Sequence, residues 1–89
     1  MNNQDIINEV RRKNDIVDVI GEKIPLEKRG KNYVAVCPFH DDTNPSMSVS
    51  REKQIYTCFS CHATGNVFTF LMNYEHKEFN QVLSELANR

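Results

Sequence analysis

The chain has 89 residues, 39% of them hydrophobic and 26% charged, with a formal net charge of −1. That length holds one domain, and a core of this size alone gives only about 3 to 5 kcal/mol, so a cross-link or a metal is expected to complete its stability. Three cysteines, an odd number, argue against a disulfide framework. No basic segment leading into an apolar run follows Met1, and no stretch of about eighteen apolar residues occurs, which points to a cytoplasmic protein with no membrane partner.

Ile6, Ile7 and Val10 recur at helical spacing after asparagines that can cap a first turn, which predicts a helix over residues 4–13. Asn14 is expected to cap a second short helical segment over residues 15–20, and Gly21 to stop it in a left-handed conformation. Two helices and one kinked helix both satisfy this pattern. Tyr33, Val34 and Val36 predict a strand over residues 31–36, Met47 and Val49 alternate with serines in a second, and Ile55–Cys58 make a third. Val67, Phe68, Phe70, Leu71 and Tyr74, and then Phe79, Val82, Leu83 and Leu86, form the apolar stripes of two packing helices.

Two tight pairs, Cys37-Pro-Phe-His40 and Cys58-Phe-Ser-Cys61, stand seventeen residues apart. Each pair separates its ligands by two residues, so one turn points both side chains at the same ion, and two such turns close a tetrahedron of three thiolates and one imidazole. Zinc is the expected ion, one per chain, although sulfur-rich tetrahedral sites also accept iron. With all four positions filled by protein there is no place for an activated water, so the site is structural and not hydrolytic. His62 rivals His40, but its adjacency to Cys61 strains simultaneous ligation. A redox role for Cys58 and Cys61 leaves Cys37 and His40 without a purpose, and Asp41 and Asp42 suit capping better than acid–base chemistry. No nucleophile with an adjacent base and no phosphate-cradling glycine loop is present, so no catalytic residue is assigned.

The fold class that follows is α+β: a zinc ribbon, a small antiparallel sheet with one structural zinc, over residues 23–66. N-terminal helices (1–22) and C-terminal helices (67–89) flank it in one domain, 1–89. A near-neutral net charge counts at first sight against a nucleic-acid partner, yet the distribution differs from the sum. Residues 1–22 carry five acids and three bases, whereas residues 23–36 carry Lys23, Lys28, Arg29 and Lys31 against Glu27 alone. A sheet that displays lysines and aromatic rings can track phosphates while bases stack. Lys28, Arg29, Lys31 and Lys53 are the phosphate candidates, Tyr33 and Tyr56 the stacking candidates, and Asn32 and Gln54 the readers of base edges. Each tyrosine has an equal claim to be a packing residue of the sheet, because alternation does not say which face is covered.

The ordered blocks Ile16-Val-Asp-Val-Ile-Gly21, Leu26-Glu-Lys-Arg-Gly-Lys-Asn-Tyr33, Cys37-Pro-Phe-His40, Asn44-Pro-Ser46, Lys53-Gln-Ile55, Cys58-Phe-Ser-Cys61 and Gly65-Asn-Val-Phe68 carry a resemblance across nearly the whole chain. Together they resemble the N-terminal zinc-binding domain of DnaG-type bacterial DNA primases. The resemblance implies a module that binds single-stranded DNA template and helps select the start site for RNA primer synthesis. It also implies a catalytic polymerase domain using Mg2+ outside this chain, and a replicative helicase reached through the parent protein. Two departures stand out: His62 occupies a position that is usually glycine, suited to positive φ, and Glu27 places an acid where lysine is usual. The alternative reading is a zinc ribbon that serves only as a protein-docking surface.

Overall fold

A computed structural model describes residues 3–39 and 44–89. The first helix, α1 (Asn3–Lys13), has Asp5 in its first turn and Arg11, Arg12 and Lys13 in its last, charges that complement the helix dipole. It ends at Asn14, which is buried and donates its side-chain amide to the carbonyls of Val10 (2.9 Å) and Leu86 (3.0 Å). With its amide committed to those carbonyls, Asn14 does not cap the next helix. Asp15 does so instead, accepting from the Val17 amide at 2.9 Å.

That second helix, α2 (Ile16–Lys23), buries Ile16, Val17, Val19 and Ile20. It runs through Gly21, where the sequence predicts a left-handed stop. The helix ends one turn later at Ile24, in extended conformation, because Pro25 disfavours helical geometry in the residue before it.

Five strands follow in the order β1 (Glu27–Arg29), β2 (Asn32–Ala35), β3 (Met47–Ser50), β4 (Ile55–Cys58) and β5 (Thr64–Gly65), each antiparallel to its neighbour. The two edge strands went unpredicted because neither contains an alternating apolar pattern. β1 is Glu-Lys-Arg, an edge strand paired with β2 across a turn in which Gly30 has φ +63°, a conformation that glycine adopts without penalty. Register divides the sheet cleanly. Met47, Val49, Tyr56 and Cys58 face inward and are fully buried, while Ser48, Ser50, Ile55 and Thr57 alternate outward.

The inner face is covered by helices. α3 (Val67–Glu75) is capped by the Asn66 side chain, which accepts from the Thr69 amide at 3.0 Å. α4 (Phe79–Ala87) begins in a capping box formed by Glu78 and Gln81. One core joins them: Ile16, Ile20, Met47, Val49, Tyr56, Phe70 and Val82 are all fully buried. At its centre the Phe70 ring lies 5.5 Å from both Phe39 and Tyr56, edge-on, and 5.4 Å from Tyr74, stacked.

Where β5 meets α3, a Cβ on Gly65 would lie 2.6 Å from Cβ and Cγ2 of Thr69. Those atoms belong to a stiff β-branched side chain, so the helix would have to move. Gly65→Ala is therefore expected to cost about 1 to 3 kcal/mol and lower the melting temperature by roughly 4 to 8 °C per kcal/mol, read by thermal circular dichroism.

Candidate metal centre

The strand ends bring together three of the residues that the sequence singled out. Cys37 follows β2, Cys58 closes β4, and Cys61 lies in the turn that leaves β4. Their sulfur atoms all lie within 4.8 Å of one another, with Cys37 Sγ and Cys61 Sγ 3.7 Å apart. A zinc ion with Zn–S bonds of ~2.3 Å needs tetrahedral edges of about 3.8 Å. The thiol spacing and the softness of the donors both fit it. His40, together with Asp41 and Asp42, lies outside the described residues.

The turn that positions Cys61 is held by its own backbone. The Cys58 amide donates to the Ala63 carbonyl at 2.8 Å, the His62 amide donates to the Cys58 carbonyl at 2.9 Å, and the Phe59 amide donates to the Ser46 carbonyl at 2.9 Å. The last of these extends the β3–β4 ladder one residue beyond the strands. His62 takes φ +63°, a left-handed conformation that histidine tolerates better than branched residues. Ser46 Oγ lies 3.6 Å from Cys58 Sγ, close enough to share a hydrogen with it.

Cys37 and Cys58 are buried, whereas Cys61 opens to solvent. Burial, reinforced by the neighbouring Cys58 and Cys61 sulfurs, pushes the Cys37 thiol up to about 12. Without a cation the cluster thus favours the protonated thiol, and a bound divalent ion inverts that preference by stabilising thiolate. Phe39, from the turn after Cys37, packs against Tyr56 and Phe70, so the first turn is anchored directly to the core.

The residues proposed for nucleic acid separate into distinct environments. Lys28, Arg29, Lys31, Asn32 and Lys53 are exposed, with Arg29 paired to Glu27 at 3.9 Å. Arg29, Lys31 and Lys53 all lie at the end of the sheet formed by the β1–β2 and β3–β4 turns. Tyr33 is half-buried and has the Arg51 guanidinium 5.4 Å above its ring.

Two expectations are corrected. Tyr56 is fully buried between Phe39 and Phe70, so no face of its ring is open to a base. The inward half of the strand alternation claimed it. Gln54 has its side chain engaged internally: its oxygen accepts from the Ile16 amide at 2.9 Å, and its nitrogen donates to Asp15 at 3.0 Å and to the Arg51 carbonyl. It ties the β3–β4 turn to the start of α2 and is not free to read bases. One residue went unremarked in sequence: Phe59, 70% exposed inside the second metal turn. The same alternation that hides Tyr56 and Cys58 turns Phe59 outward.

A sheet with three thiols gathered at one end, backed by helices, defines the class as a zinc ribbon. The CHC2 zinc finger family matches residues 2–89, and the chain belongs to that family. It is 51% identical over 86 residues to a DNA primase of Halalkalibacterium halodurans, a stretch that covers 97% of this chain and 14% of that protein. A DNA primase of Staphylococcus aureus (strain COL) is 48% identical over 86 residues, with the same coverage. Among solved structures, the crystal structure of the Aquifex aeolicus primase zinc-binding and RNA polymerase domains superposes with a TM-score of 0.89 at 48% identity. That match covers 94% of this chain and 21% of the other. The chain thus spans about one seventh of the length of these primases. No helix among the described residues is long and apolar enough to cross a membrane.

Proposed function

We propose that this chain is the template-recognition module of a bacterial DNA primase, acting as one unit over residues 1–89. One structural zinc is held by Cys37, His40, Cys58 and Cys61, and its role is to hold the ribbon in shape. The module binds single-stranded DNA and helps choose where an RNA primer begins, in the cytoplasm at the replication fork. Primer synthesis, with its Mg2+ chemistry, belongs to a polymerase domain outside these residues, and the parent protein supplies the contact with a replicative helicase.

The observation that carries this reading is the outward face of the sheet. Arg29, Asn32, Ser48, Ser50, Thr57 and Thr64 share it by register with Glu27, Val34 and Ile55, and each of these residues is partly or fully exposed. Hydroxyl and amide groups there offer donors and acceptors, while Arg29, Lys31 and Lys53 supply phosphate contacts at one end, and Lys28, exposed on the opposite side of edge strand β1 beside Tyr33, adds positive charge at that edge. Tyr33, half-buried at the margin, supports that end through its contact with Arg51. A sheet so equipped tracks a strand electrostatically and leaves its bases accessible.

Fluorescence anisotropy of the zinc-loaded domain with short single strands at two salt concentrations tests the reading. Lys31→Ala is expected to weaken binding and to reduce the salt slope by about 0.7, the value for one phosphate contact on a single strand. An unchanged slope removes Lys31 from the interface. A domain that binds no strand at any salt supports the docking alternative.

A further inference from the structure

Among the described residues Phe59 is the most exposed large hydrophobic, at 70%, and it lies between two of the clustered thiols in the chain. An aromatic ring in water gains nothing for the fold from that position. Its backbone is nevertheless held firmly. The Phe59 amide donates to Ser46, and Cys58 before it is pinned to Ala63. By alternation from the inward Cys58, the ring stands on the outward face of the sheet, at the end opposite the β1–β2 and β3–β4 turns. Val36, 43% exposed, follows the buried Ala35 just beyond the end of β2, in the same outward sense by alternation.

We infer that Phe59 is the platform on which one unpaired base of a bound single strand stacks, an inference that rests on the template-binding reading above. The two ends of the outward face have complementary chemistry. Cations Arg29, Lys31 and Lys53 hold phosphate at one end, and an aromatic ring waits at the other. The four-residue strands between them span ~13 Å at about 3.3 Å per residue, the length of roughly four stacked nucleotides at 3.4 Å each. Ser48 and Thr57 lie directly opposite each other between the two ends, and Thr57 and Thr64 hydroxyls are 3.4 Å apart. A strand laid along the β direction meets phosphate contacts, then hydroxyls, then the ring. Phenylalanine has no hydrogen-bonding group, so it adds affinity without choosing among bases.

The test compares the zinc-loaded 89-residue domain with Phe59→Ala and Phe59→Tyr by anisotropy against labelled single strands, and against the same strands carrying one abasic position scanned along their length. Phe59→Ala is expected to weaken binding about fivefold or more with an unchanged salt slope, and Phe59→Tyr to stay within about twofold of the parent. At one abasic position the parent should lose affinity while Phe59→Ala loses none further. Equal affinity of parent and Phe59→Ala overturns the inference, as does a loss that Phe59→Tyr shares or that comes with a changed salt slope. A parent domain that binds no strand refutes the template reading itself, which is a different result.

Discussion

Cys58→Ser is expected to release the metal and unfold the ribbon over residues 31–66. Cys58 serves twice, since its sulfur belongs to the thiol cluster and its side chain is fully buried in the core. Structural zinc contributes roughly 10 to 16 kcal/mol of apparent binding free energy near neutral pH, and most of it becomes folding free energy when the empty site is disordered. A core of this size contributes about 3 to 5 kcal/mol by itself. Loss of the metal term therefore exceeds everything else that holds the domain. Elemental analysis of the purified variant and its circular dichroism at 25 °C check both halves. A folded variant that retains one zinc per chain would exclude Cys58 as a ligand. Chelation of the parent protein should reproduce the same loss of structure, reversed on adding zinc.

Phe70→Ala should produce a large loss of stability without touching a thiol, about 3 to 5 kcal/mol. The ring is completely buried and makes edge contacts with Phe39 and Tyr56 and a stacked contact with Tyr74. Phe39 lies two residues beyond Cys37, so the cavity would also loosen the first metal turn. Denaturant unfolding of the zinc-loaded protein should show that stability loss, together with faster metal transfer to a competing chelator. A stability change below about 1 kcal/mol would mean that the aromatic cluster does not join the ribbon to the helices.

Much of this architecture was legible before any coordinates. The helical stripes at Ile16–Lys23 and Val67–Glu75, and the alternation at Met47–Ser50 and Ile55–Cys58, are periodic signals that burial on one face imposes directly. Cysteine spacing identified the thiols that come together, because two-residue gaps are a geometric requirement of one turn around one ion. The short edge strands were not legible. Glu27–Arg29 and Thr64–Gly65 have no apolar face of their own and pair only because the neighbouring strand presents free backbone groups.

Composition and spacing by themselves determined the class of fold, the gathering of three thiols and the basic character of the first hairpin. Tertiary packing decided which face of each strand meets solvent, and so moved Tyr56 into the core, committed Gln54 to the start of α2 and left Phe59 in water. The physical reason is that a strand's two-residue period states that its faces differ, while only helices laid against one of them determine which is inside.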